Sequence, residues 1–293
     1  MTGQNSQIEP ARIGVFDSGF GGLDVMRGIV KILPQYDYIY LGDTARVPYG
    51  NRSKDTVYEF TRQGADFLFG RGCGVIILAC NTASSDALRR LQQEYLPSKY
   101  PQRRILGVLI PAVQDAVLAT RNKRIGVIAT SGTVGSEAFV REVKKLDSRA
   151  RVFQRACPLL VPLVEAGEHN SPPARAILKN YLAPLLKKNI DTLILGCTHY
   201  GILRKEAEKI VGRNIKIISE SDSVPPRLKN YLERHPEIEK LLGKKKRRRF
   251  YSTDLTDTFQ KLGSKFFGRN IKVEKAVLEH VSNPHSGSAD SDF

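Results

Sequence analysis

Short apolar runs alternate along the chain with longer segments whose apolar residues recur every three or four positions. Residues 13–16 are apolar, a glycine-rich turn follows at 17–22, and residues 23–33 keep the helical spacing up to a proline. A second apolar run at 38–41 leads into a polar turn at 42–50 and a further helical segment. The short runs predict buried strands and the periodic segments predict helices. This alternation indicates an α/β protein with largely parallel sheets.

The strand-and-turn pattern is repeated within the chain. Similar segments begin at Arg12 and Arg124, with the sequences Arg-Ile-Gly-Val-Phe-Asp-Ser-Gly and Arg-Ile-Gly-Val-Ile-Ala-Thr-Ser-Gly. A second pair reaches a cysteine after the strand, with the sequences Val-Ile-Ile-Leu-Ala-Cys80-Asn-Thr and Thr-Leu-Ile-Leu-Gly-Cys197-Thr-His. The first pair is separated by 112 residues and the second by 117. Two pairs in the same order at similar offsets predict two pseudosymmetric α/β halves.

We interpret the two halves as domains. The first is predicted to comprise residues 11–109 and 221–275, and the second residues 110–220. Residues 1–10 and 276–293 are predicted to be flexible tails, since the C-terminal stretch is rich in Ser, Gly and Asp. The N-terminal segment lacks the basic and apolar regions of a secretory signal, and no apolar run approaches the roughly 20 residues that span a bilayer. We therefore expect a soluble, cytoplasmic protein.

Composition limits the partners. The four cysteines, at positions 73, 80, 157 and 197, are too few for a disulfide-stapled scaffold and lack zinc-site spacing, so we expect free thiols and no metal. Cys73 and Cys157 are interpreted as small buried apolar residues. The net charge of +16 raises nucleic acid as a partner, but much of the excess lies in residues 244–249, which we interpret as a solvated basic loop.

Cys80 and Cys197 follow the carboxyl ends of predicted parallel strands, where ligands bind in such sheets. Each precedes a predicted helix, whose N-terminal N–H groups favour thiolate and can lower a thiol pKa from about 8.5. Across a cleft between pseudosymmetric halves, the two sulfurs would face opposite sides of a bound molecule. One thiolate could then remove a proton from a stereocentre while the other thiol returns one to the opposite face. Polar residues suited to a carboxylate or an amine follow each cysteine: Asn81, Thr82, Thr198 and His199.

Five segments resemble, in the same order, the motifs of glutamate racemases. They are Phe16-Asp17-Ser18-Gly19-Phe20-Gly21-Gly22, Pro48-Tyr49-Gly50, Ala79-Cys80-Asn81-Thr82-Ala83, Val161-Pro-Leu-Val-Glu165 and Gly196-Cys197-Thr198-His199. The resemblance spans residues 12 to about 268. Five ordered motifs are specific, whereas Cys-Asn-Thr alone is shared with aspartate and hydantoin racemases. The resemblance implies cofactor-independent conversion of L-glutamate to D-glutamate for peptidoglycan precursors, commonly by a homodimer.

The resemblance also implies roles for individual residues. Cys80 and Cys197 would be the catalytic pair, with auxiliary roles for Asp17, His199 and Glu165. The residues that would contact the amino acid are Asp17, Ser18, Tyr49, Gly50, Asn81, Thr82, Thr198 and His199. Two structural alternatives stay open, because Asp17 could cap a helix and His199 could be an ordinary buried histidine.

The chain departs from the family pattern at two places. The chain has Ile110-Pro111-Ala112 where the family commonly has Glu-Pro-Gly, and Pro225 and Pro226 precede a predicted helix. The glycine turn matches neither the dinucleotide fingerprint nor the P-loop, and a two-thiol mechanism needs no pyridoxal phosphate.

Two functional alternatives stay open. Aspartate racemisation is the nearest, because the depth of the pocket decides which substrate side-chain length fits. A basic nucleic-acid-binding protein with a vestigial racemase site is the alternative from another class.

Overall fold

A computed structural model describes residues 10–278 of the chain. The strands are β1 (Arg12–Asp17), β2 (Tyr38–Gly42), β3 (Cys73–Leu78), β4 (Arg104–Gly107), β5 (Arg124–Ala129), β6 (Arg151–Ala156), β7 (Thr192–Gly196), β8 (Lys216–Ile218), β9 (Arg248–Ser252) and β10 (Val273–Lys275). The α-helices are α1 (Gly22–Ile32), α2 (Lys54–Gly70), α3 (Asn81–Asp86), α4 (Leu88–Arg90), α5 (Leu96–Lys99), α6 (Leu109–Ala119), α7 (Ser131–Gly135), α8 (Ala138–Leu146), α9 (Leu160–Glu165), α10 (Pro172–Leu186), α11 (Arg204–Val211), α12 (Glu220–Arg234), α13 (Pro236–Glu239) and α14 (Asp257–Phe267). Short 3-10 turns lie at Thr44–Arg46, Tyr49–Asn51 and Thr198–Leu203, and a π-helical turn lies at Leu91–Tyr95.

The strands form two parallel sheets. The first has the order β10-β9-β2-β1-β3-β4 and the second the order β6-β5-β7-β8. The repeated segments occupy equivalent places, because β1 and β5 are central and the order β2-β1-β3-β4 matches β6-β5-β7-β8. The prediction of two similar parallel α/β domains is confirmed. The first sheet is extended by β9 and β10 from the C-terminal part of the chain, and the domain boundaries that we drew stay predictions.

The pattern of buried residues explains why these segments form these elements. All residues of β7 are buried, as expected for a parallel strand covered by helices on both faces. The helices are apolar on one side only. In α8, Phe139 and Val143 are buried four residues apart, whereas Lys144 and Lys145 are exposed. The buried strands thus fix the positions of their carboxyl ends, and Cys80 and Cys197 follow two of these ends.

The two prolines expected before a helix lie inside it. Pro225 and Pro226 belong to α12, which begins at Glu220. A proline at 225 cannot donate to the carbonyl of Ser221 and displaces it. That carbonyl points at Gly28 of α1, where a Cβ atom would lie only 2.4 Å from its oxygen. Glycine at position 28 therefore makes room for the displaced carbonyl, and the helix tolerates the proline.

The basic run at 244–249 is not a solvated loop over its whole length. Arg248 and Arg249 begin β9 and pair with β2. Asp37, which is buried, accepts hydrogen bonds from two backbone N–H groups within the run, at 3.1 and 2.8 Å. Arg249 forms an ion pair with Glu274 at 2.8 Å. The expectation of a loop was wrong for the last two residues, because pairing with β2 fixes the backbone there.

The segments predicted to be tails lie mostly outside the described residues. Ala276 is described and is buried, and its N–H donates to the carbonyl of Ser252 at 2.7 Å. Ordered structure therefore continues past residue 275. Within the described part of the chain, no helix is long and apolar enough to cross a membrane.

Candidate active site

The carboxyl ends of β3 and β7 meet at one cavity between the two sheets. Cys80 follows β3 after one residue, and Cys197 follows β7 directly. About 310 Å³ of the cavity is free of protein atoms. Its lining includes both cysteines together with Ser18, Val47, Pro48, Tyr49, Gly50, Asn81, Thr82, Thr130, Val161, Thr198 and His199. The structure therefore brings together most of the residues that the sequence predicted, from both halves of the chain.

The Cys80 thiol is neutral because of its burial. Its sulfur accepts a hydrogen bond from the N–H of Ala83 at 3.5 Å, in the first turn of α3. Burial nevertheless raises the pKa of Cys80 to about 11, and the nearby charge of Asp17 adds to the effect. Hydrogen bonds from Ser18, Ala83 and Thr82 lower the pKa only in part. The expectation that a helix N-terminus would lower this pKa was wrong, because loss of hydration outweighs the dipole of a short helix.

Cys197 lies beside a histidine and a glutamate. Its sulfur is 3.8 Å from Nδ1 of His199, and Nε2 of the same ring is 3.1 Å from Oε1 of Glu165. Burial raises the pKa of Cys197 well above its ordinary value, and the N–H of His199 offsets only part of that. Burial also disfavours a charged imidazole, but Glu165 outweighs it and the pKa of His199 is raised. A thiol, an imidazole and a carboxylate thus follow one another in contact, and the first two line the cavity.

Asp17 lies beneath the cavity and does not line it. Its Oδ2 accepts hydrogen bonds from the N–H groups of Gly19 and Gly22, both at 3.1 Å. Its Oδ1 accepts one from the hydroxyl of Thr198 at 3.2 Å. The carboxylate therefore satisfies a backbone donor in the first turn of α1, although the N-cap residue of that helix is Gly21. It also joins that turn to Thr198, the residue after the second cysteine.

Two loops from different halves close one side of the cavity. The ring of Tyr49 is buried and its hydroxyl hydrogen-bonds to Asp43. Gly50 packs so tightly on Thr130 that a Cβ atom at position 50 would lie 2.5 Å from that residue. The hydroxyl of Thr82 lies 3.0 Å from that of Thr130. These contacts join the first half to the second across the cavity wall.

Sequence reasoning missed two polar residues of the site. Thr130 lines the cavity, and the repeat could have identified it, because it takes the place that Ser18 has in the first half. Glu220 is buried and its Oε1 accepts a hydrogen bond from Nδ2 of Asn81 at 2.8 Å. Nothing in the local pattern around residue 220 indicates that contact, since it joins residues far apart in the chain.

The other two cysteines lie away from the cavity lining. Cys73 begins β3, and Cys157 follows β6. Both are buried free thiols, as predicted. Burial raises the pKa of each to about 12. The residues described contain no group of three or more His, Cys, Asp and Glu side chains placed to hold a metal ion.

Residues 13–220 match the family model described as Asp/Glu/Hydantoin racemase. The chain belongs to this family. A glutamate racemase of Sulfurihydrogenibium sp. is 42% identical over 270 residues, which cover 92% of this chain and 98% of that protein. A glutamate racemase structure from Bacillus anthracis has a TM-score of 0.84 at 33% identity, and one from Francisella tularensis in complex with D-glutamate has 0.82 at 34%. Each covers 92% of this chain, which covers 98% of each of them.

An aspartate racemase structure from Picrophilus torridus is more distant. It has a TM-score of 0.52 at 18% identity and covers 76% of this chain. That likeness shows the shared fold alone.

Proposed function

We propose that this racemase interconverts L-glutamate and D-glutamate. The observation that carries the proposal is the presence of two cysteines in one small cavity, each after an equivalent strand of a repeated half. Inversion of a stereocentre by proton transfer needs an acid and a base on opposite faces, and two thiols can exchange these roles. Relatives named glutamate racemase, one of them solved with D-glutamate, support glutamate over aspartate as the substrate.

In one direction, the thiolate of Cys197 takes the α-proton and the thiol of Cys80 donates a proton to the opposite face. Cys197 is then a thiol and Cys80 a thiolate, which is the state that the reverse reaction requires. Exchange of protons with water restores the first state. Because the two sulfurs are coupled through the substrate, the pH dependence of the rate reports the pair rather than either residue.

A thiolate must first form, since burial keeps both thiols neutral in the free protein. We assign His199 the task of accepting the proton of Cys197, because Nδ1 lies 3.8 Å from the sulfur. Glu165 then stabilises the imidazolium through its contact at 3.1 Å. Asp17 is assigned the corresponding auxiliary role beside Cys80, in addition to its hydrogen bonds to the backbone.

The substrate contacts proposed from the motifs fall into two groups. Seven residues line the cavity and are proposed to bind the amino acid directly: Ser18, Tyr49, Gly50, Asn81, Thr82, Thr198 and His199. Asp17 is proposed to act on the amino acid through Thr198, because it accepts a hydrogen bond from the hydroxyl of that residue. We further propose that the product supplies peptidoglycan precursor synthesis in the cytoplasm and that the protein is a homodimer. We do not expect nucleic acid to be a partner, despite the net charge of +16.

Circular dichroism tests the proposal. The signal of L-glutamate incubated with the protein and no added cofactor should decay to zero. A flat trace with glutamate and decay with L-aspartate would favour the aspartate alternative instead. Cys80→Ser and Cys197→Ser should each abolish the decay, whereas the matched variant Cys157→Ser, at a buried thiol outside the cavity lining, should keep the rate within about twofold. Full turnover by either of the first two variants would contradict the two-thiol mechanism.

A further inference from the structure

Glu220 is a buried acid that contacts the cavity wall from behind. It is the first residue of α12 and follows β8 of the second sheet after one residue. Only 2% of its surface is exposed. Its Oε1 accepts a hydrogen bond of 2.8 Å from Nδ2 of Asn81, the first residue of α3 and the neighbour of Cys80. The contact therefore joins the element after β8 of the second sheet to the helix that follows the first cysteine.

The two polar atoms of the Asn81 amide differ: one forms a hydrogen bond to Glu220, and the other has no partner among the described residues. Asn81 lines the cavity and is 3% exposed. Its Nδ2 is held by Glu220, whereas Oδ1 is buried and has no hydrogen-bond partner among the described residues. An amide carries two donors on nitrogen and only acceptors on oxygen. With Nδ2 fixed behind the wall, Oδ1 is an acceptor suited to the ammonium group of an amino acid.

The surroundings of Glu220 explain how an acid can be buried there. Asp24 of α1 and Asp17 of β1 face it, and Cys197 lies near enough for their charges to interact. Burial, followed by these acidic neighbours, raises the pKa of Glu220 to about 8. The oxygen Oε1 accepts from Asn81 in this environment. A glutamine side chain has the same shape and offers the same acceptor.

We propose that Glu220 is a positioning residue that holds the amide of Asn81 with its oxygen towards the substrate. Without an acceptor at position 220, Nδ2 would be buried and unpaired, which is costly. The amide would then rotate and present a donor in place of the acceptor. The proposal rests on the racemase function, and it predicts a loss in substrate binding rather than in the chemistry at the two sulfurs.

Steady-state kinetics with three variants test this role. Glu220→Ala should raise the KM for glutamate about tenfold or more with a smaller change in kcat, because a buried donor loses its partner. Glu220→Gln keeps the acceptor and should keep KM within about twofold of the unchanged protein. Asp24→Asn is the matched control, since Asp24 is a neighbouring buried acid that does not line the cavity and pairs with Arg27 of its own helix. Its KM should also stay within about twofold.

A double-mutant cycle with Asn81→Ala separates positioning from general stability. If Glu220 acts through Asn81, adding Glu220→Ala to Asn81→Ala should change KM by less than about twofold. Thermal unfolding identifies variants that do not fold. If Glu220→Ala does not fold, Glu220→Leu is measured in its place, because leucine fills the space without providing an acceptor. An unchanged KM in a folded variant without the acceptor, or multiplying effects in the cycle, would overturn the proposal. Failure of the unchanged protein to racemise glutamate would instead overturn the proposed function.

Discussion

At the residue scale, Cys80 and Cys197 follow equivalent strands but have different partners. The sulfur of Cys80 accepts a hydrogen bond from a backbone N–H, whereas the sulfur of Cys197 lies 3.8 Å from Nδ1 of the His199 imidazole. Both thiols are buried, and burial raises both pKa values. The ionisation of each sulfur therefore depends on neighbours in space. For Cys197, the decisive neighbour is an imidazole whose charge Glu165 stabilises.

Glu165→Gln tests this dependence. Glu165 raises the pKa of His199 against the lowering effect of burial. Without the carboxylate, burial dominates, and His199 should lose its proton at a lower pH than in the unchanged protein. We expect kcat/KM to fall about tenfold or more, as for other losses of acid–base support. NMR titration of His199 measures the shift, and Glu168→Gln, at an exposed acid in the next loop, is the control. A His199 titration that does not move would contradict this account.

At the element scale, the site is built where repeated strands end and short turns begin. The turn at Tyr49–Asn51 packs on α7, which follows β5 of the other sheet. Thr130, immediately before α7, takes the N-cap position and accepts from the N–H of Thr133. A side chain at position 50 would collide with Thr130, so the close approach of these two elements depends on a glycine.

Gly50→Ala should force these elements apart. Its Cβ atom would lie 2.5 Å from Cβ of Thr130 and 2.8 Å from Oγ1. Overpacking of this kind costs about 1–3 kcal/mol, so we expect a lower melting temperature and a KM raised about tenfold. Gly135→Ala is the matched control in α7, because a Cβ atom there meets nothing within 4 Å. Equal effects of the two substitutions on KM would contradict a specific role for the contact at position 50.

The sequence predicted those features that depend on local pattern and repetition. The apolar runs and the matched offsets predicted the parallel sheets, the repeat and the positions of both cysteines. Contacts between segments that are far apart in the chain produce no comparable pattern in the sequence. The hydrogen bond from Asn81 to Glu220 spans 139 residues, and the raised thiol pKa values come from burial by the whole fold. The sequence pattern predicts the prolines at 225 and 226 outside the helix, because the space beside Gly28 that admits them is a property of packing.

At the scale of the whole molecule, the two halves close over the cavity that they share. Cys80 and Asn81 line it from the first half, and Thr130 and Cys197 line it from the second. The distance between the two sulfurs therefore depends on how the halves pack against each other.

The central claim is that two groups on opposite faces transfer the protons, and isotope exchange in D₂O tests it most directly. Thiol protons exchange with the solvent, so the group that donates to the second face carries deuterium. L-glutamate is incubated briefly with the protein in D₂O, the enantiomers are separated, and the deuterium at Cα of each is measured by mass spectrometry. We expect deuterium in the D-glutamate from the first turnovers, while the remaining L-glutamate keeps its proton. D-glutamate that retains the original proton, or L-glutamate that gains deuterium as fast as product forms, would contradict the two-thiol account.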